Sequence, residues 1–102
     1  MKTYMVLHKD PTLSWEIVER NWRKLASVRS ATWINTYYNV DEGLRYCVWL
    51  APDTAILEKT FGDLEISFES ITEVEETSPD MWGREAWAEH LKAEETADTL
   101  GV

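Results

Sequence analysis

Two stretches of this 102-residue chain, residues 4–8 and 33–50, have β-strand composition with apolar side chains at both alternating positions. A sheet face washed by water alternates apolar with charged residues, and neither parity here is reliably charged. Over 33–50, Trp33, Asn35 and Tyr37 share one parity, and Ile34, Thr36 and Tyr38 the other. Tyr46, Val48 and Leu50 alternate with Cys47 and Trp49, while Tyr4, Val6 and His8 alternate with Met5 and Leu7. A chain this short has too few helices to cover both sides of the sheet these strands form. The surplus apolar face predicts a partner subunit, a ligand, or both.

The order of elements follows from periodicity and punctuation. Lys2–Lys9 alternates with β-branched and aromatic content, and Asp10-Pro11 breaks it, because proline supplies no backbone donor. Ser14 reads as the cap of a helix to about Val28, with Trp15, Val18, Trp22 and Leu25 as its apolar stripe. Residues 31–40 and 44–50 read as a hairpin turned by Asp41-Glu42-Gly43, where glycine takes a positive φ. Ala51-Pro52-Asp53 opens a second helix over 54–61, with Gly62 as its stop, and 66–75 reads as a fourth strand. Ser78-Pro79-Asp80 then starts a helix over 81–100. This predicts an α+β, ferredoxin-like β-α-β-β-α-β domain over residues 1–77, both helices lying on one face of a four-stranded antiparallel sheet. Residues 78–102 form a helical extension packed on the same domain or on its dimer partner. Two such sheets packed face to face form a dimeric α/β barrel, and a cleft between them gathers the polar groups.

Charge narrows the partners. Ten basic against nineteen acidic residues give a net charge of −9. Counterion release from phosphates needs clustered Lys and Arg, so nucleic acid and anionic membrane are excluded as partners. No basic-then-apolar leader opens the chain and no run approaches the roughly 20 apolar residues of a membrane span, so a cytoplasmic location is expected. A single cysteine excludes an internal disulfide and a cysteine-only metal cage.

The candidate ligand-binding residues are His8, Trp33, Asn35, Tyr37, Tyr46 and Cys47. His8 ends the first strand and can serve as a proton carrier or a neutral metal ligand, or simply as a hydrogen-bonded structural residue. Tyr37, Asn35, Tyr46 and Trp33 offer hydroxyl, amide and indole groups to a pocket, or stabilise the hairpin as cross-strand pairs. Cys47, in an apolar strand, reads as a buried structural thiol. His90 has Glu94 four residues on, a spacing that can hold a cation, but Ala86 offers no third ligand and ordinary helix packing is the simpler reading. Arg45 is a partner for an acid such as Glu73, and Glu73, Glu75 and Glu76 read as a wet strand end. Glycine-rich phosphate loops, nucleophile elbows and close His/Cys sets are absent, which argues against kinases and hydrolases.

Tyr4-Met5-Val6, Trp33 with Tyr37, the run Cys47-Val48-Trp49-Leu50-Ala51-Pro52-Asp53, and Ile71-Thr72-Glu73-Val74-Glu75 together resemble the small bacterial family catalogued as domain of unknown function 4242. That ferredoxin-like group includes a nickel-binding member, and the resemblance covers about residues 3–75. It implies a dimeric barrel and nickel, or another divalent transition metal, held by His and carboxylate or backbone oxygen, with His8 as the metal-contacting residue. The chain departs from the family at Phe61-Gly62-Asp63-Leu64-Glu65, where members often carry a basic Gly-Pro stretch, and in the Trp-rich tail after Thr77.

Three functions compete. The first is a homodimer binding a metal ion or small molecule in the inter-sheet cleft. The second is a cofactor-independent dimeric α/β-barrel enzyme, an oxygenase or isomerase acting on a small aromatic or apolar compound, with His8, Tyr37, Asn35 and Cys47 as acid/base and orienting groups. The third is an interaction module whose tail helix docks a partner through Trp82 and Trp87.

Overall fold

The computed structural model describes residues 1–100; Gly101 and Val102, the end of the expected extension, lie outside the described residues. Elements run β1 (Lys2–Lys9), α1 (Trp15–Leu25), β2 (Thr32–Asn39), β3 (Leu44–Ala51), α2 (Thr54–Asp63), β4 (Ser70–Glu73), a 3-10 turn (Pro79–Met81) and α3 (Arg84–Leu100). The strands form one antiparallel sheet in the order β2-β3-β1-β4, the ferredoxin-like arrangement. Tyr4, Val6, Cys47, Trp49 and Ala51 on the inner face join Leu25 of α1 and Leu57 and Phe61 of α2 in one core, so both helices cover the same side. Rings carry much of that core: Trp49 stacks on Trp33 at 6.2 Å and meets Phe61 edge-on at 5.6 Å.

The α1 stripe differs from the expected one. Ser14 does cap the helix, accepting from the Ile17 amide at 3.3 Å. Yet Trp15 and Trp22 are 63% and 51% exposed, while Asn21 and Leu25 are buried. The helix is rolled so that Asn21 and Leu25 point inward, and it ends at Leu25, three residues short of Val28. Trp15 instead leans over Tyr38 of the edge strand, ring centroids 5.8 Å apart.

The hairpin carries a device that alternation alone hides. Trp33 pairs with Trp49 but Asn35 pairs with Val48, so Ile34 is an extra residue on β2. This β-bulge reverses the parity beyond it. Trp33, Thr36 and Tyr38 face the helices, and Asn35 and Tyr37 face the opposite side, whereas strict alternation puts Trp33 with Asn35 and Tyr37. The Trp33 indole holds the bulge by donating to the Asn35 carbonyl at 3.1 Å and the Thr36 hydroxyl at 2.7 Å. The turn behaves as expected: Gly43 has φ +68°, and a Cβ there would stand 2.3 Å from the Asp10 carbonyl oxygen.

After α2, capped by Asp53 through the Ile56 amide at 3.0 Å, the left-handed residue is Glu65 at φ 56°, not Gly62. Gly62 lies inside the helix, and the Ile66 amide closes the end on the Phe61 carbonyl at 2.9 Å. A side chain at positive φ is strained, so Glu65→Gly is expected to raise stability by about 0.5–1 kcal/mol. Urea unfolding would show this as a higher midpoint; an unchanged or lower one would exclude strain at this cap.

The fourth strand is shorter than expected, Ser70–Glu73 against 66–75. Ile66 has left the sheet to enter the core, and Phe68 is part-exposed. Arg45 does not meet Glu73: it is buried on the helix side across from His8, while Glu73 pairs with Lys2 at 3.6 Å.

Candidate functional site

The sheet divides the six predicted ligand-binding residues between its faces. His8, Trp33 and Cys47 lie under the helices; Asn35, Tyr37 and Tyr46 lie on the open side. Within one protomer the side chains of His8 and Cys47 leave the opposite sheet face from those of Asn35 and Tyr37, so these four acid/base candidates do not line a single cavity.

His8 is 1% exposed and packs edge-on against Phe61, centroids 5.3 Å apart. Its Nδ1 lies 2.7 Å from the Ser67 carbonyl oxygen and donates to it, because a carbonyl can only accept. Burial lowers its pKa to about 4, opposed by that hydrogen bond and aided by the nearby Arg45 charge. The ring is therefore neutral at pH 7. Cys47 is buried, and its sulfur accepts from the Thr36 hydroxyl at 3.3 Å. Burial raises the thiol pKa, which keeps it protonated and unreactive near neutrality.

The open face presents Met5, Leu7, Tyr37, Tyr46, Val48 and Leu50, with Asn35 and Thr72 between them. Tyr37 is 60% exposed and the others are partly so. No helix of the described residues packs on it. This is the uncovered apolar surface that the strand compositions predict.

A second concave region lies at the end of the sheet, where β1 starts and β3 and β4 finish. Here α3 and the strand ends bound a groove of about 910 Å³. Five glutamates (Glu73, Glu75, Glu76, Glu94 and Glu95) line it with Lys2. Within it Glu75, His90 and Glu94 each offer one donor atom, all within 4.8 Å of one another. His90 Nε2 stands 3.9 Å from Glu94 Oε2. The His90–Glu94 spacing is visible in the sequence, but no spacing links Glu75, fifteen residues before His90, to it. No periodicity links a strand end to a helix face, so only the returning path of the chain brings it there. Trp87 leans on the His90 ring at 5.3 Å and stacks on Trp82 at 6.2 Å, Trp82 itself being 73% exposed. No described helix is long and apolar enough to cross a membrane.

The crystal structure of SCO4226 from Streptomyces coelicolor A3(2) superimposes with a TM-score of 0.66 at 12% identity, over 74% of this chain and 99% of that one. At that identity the likeness is one of fold. A search of curated proteins finds no match. A family model described as nickel responsive protein SCO4226-like matches residues 4–74. This family is related to the one that the sequence resembles, although the label domain of unknown function 4242 is not itself confirmed. With about two thirds of its length matched, the chain belongs to the SCO4226-like family of nickel-responsive proteins.

Proposed function

We propose that the chain is a small homodimeric binding protein, two copies packing the open faces of their sheets around a cleft that takes a divalent transition-metal ion, nickel foremost, or a small molecule. The observation that carries the dimer is the open face itself, with Met5, Leu7, Tyr46, Val48 and Leu50 uncovered by any described helix. A stable interface of about 1,600 Å² is of the size such a sheet face can supply. In this reading Asn35, Tyr37 and Tyr46 are the polar groups at the cleft, and His8, Trp33 and Cys47 support the sheet from behind. Nickel is supported by the family to which the chain belongs.

The reading has two tests. Sedimentation of the full chain is expected to give twice the 11.9 kDa protomer mass, and Val48→Glu is expected to weaken the dimer at least about tenfold, since two like charges then meet across the two-fold axis. A monomeric wild-type chain with its open face in water overturns the dimer. Calorimetric titration with nickel, cobalt and zinc tests the ligand; no heat from any of the three overturns its metal version.

A further inference from the structure

We propose a divalent transition-metal site made by Glu75, His90 and Glu94, in the groove between the end of β4 and α3. It goes beyond the inter-sheet reading in place and in origin. All three ligands come after residue 74, where the family match ends, so this site belongs to the extension that the chain adds to the family domain.

The geometry suits an ion. His90 and Glu94 are one helical turn apart and leave the same face of α3, while Glu75 approaches from two residues beyond β4. Metal–ligand bonds of about 2.1 Å place donors about 3 Å apart at right angles, or about 4.2 Å apart across the ion. The observed 3.9 Å between His90 and Glu94 lies within that range, and the upper bound of 4.8 Å over the set lies just outside it. Rotation of two surface glutamates closes such a gap. Trp87 packed on the imidazole limits the ring's own movement.

The chemistry selects the cation. Five glutamates and one lysine line the groove, and that lysine, Lys2, pairs with Glu73. The field therefore favours a cation over an anion. An imidazole nitrogen with two carboxylates suits nickel, cobalt and zinc, whereas magnesium and calcium favour all-oxygen shells. Three protein ligands leave the remaining positions to water. The bound ion would also join the end of the sheet to α3, tying the extension to the domain.

Calorimetric titration of the full chain with Ni2+ alone tests the site, alongside His90→Ala, Glu75→Gln and Val48→Glu, each checked for fold by circular dichroism. Expected are one ion per chain at this site, beside any ion held in the inter-sheet cleft, loss of at least about tenfold in its affinity for His90→Ala and for Glu75→Gln, and retention of this one ion per chain in Val48→Glu even where the cleft no longer forms. Indole emission should also fall on Ni2+ addition, through Trp87 beside His90, and the drop should vanish in His90→Ala. Absence of Ni2+ binding, or affinity unaltered in both ligand variants, overturns the site. Binding that survives those two but is lost in Val48→Glu also overturns it, and places the ion in the inter-sheet cleft instead.

Discussion

Trp49→Ala is expected to lower the free energy of unfolding by about 3–5 kcal/mol, the range for truncating a large buried aromatic. Trp49 has no exposed surface and sits on β3 between Trp33 and Phe61. Its loss leaves a hole bordered by both the sheet and α2, and neither neighbouring ring can move in without abandoning its own contacts. Domains of this size have only about 5–15 kcal/mol of stability in total, so the variant should unfold at a much lower urea concentration. Trp49→Phe makes a control. The indole Nε1 is buried without a hydrogen-bond partner, so Phe removes an unsatisfied donor while keeping a ring in place. Its cost should be a minor part of that of Ala. Equal costs for the two would mean that ring packing is not what Trp49 contributes.

The second large effect is acid sensitivity through His8. In the unfolded chain its imidazole titrates near 6.5, whereas burial holds the folded value at about 4. Between those values the unfolded state binds the proton and the folded state does not, so stability falls as pH falls. The contribution is fully present above pH 6.5 and is lost progressively down to pH 4. At about 1.4 kcal/mol per unit, acidification from pH 6.5 to 5 should cost about 2 kcal/mol, and the whole window about 3. Urea midpoints measured from pH 7 to 5, against His8→Gln as reference, isolate this residue from the carboxylates that titrate lower. A wild-type slope identical to that of His8→Gln would mean that the folded ring accepts its proton normally.

The Ser67 carbonyl explains why that neutral ring is tolerated. It takes the Nδ1 proton of His8, satisfying the donor in place and fixing the tautomer. Both residues come from segments flanking the β1–β4 pair, so the hydrogen bond also ties the loop after α2 to the end of β1.

The sequence alone was enough for the order of elements, the Ser14 cap and the Gly43 turn, because each depends on residues within one or two turns of chain. Ser14 satisfies an amide three residues on, and Gly43 alone accepts its positive φ without a side-chain penalty. The two-sided apolar strands likewise announced a face that this protomer leaves uncovered. Tertiary structure decided which residues share a face. One extra residue, Ile34, sends Asn35 and Tyr37 to the side opposite Trp33, and a sheet with period two has no memory of parity across a bulge. It also decided the roll of α1, exposing Trp15 and Trp22 while burying Asn21. Finally, it brought Glu75 to His90 and Glu94. Local spacing cannot encode that meeting, since it depends on where α3 returns along the sheet rather than on any repeat within the chain.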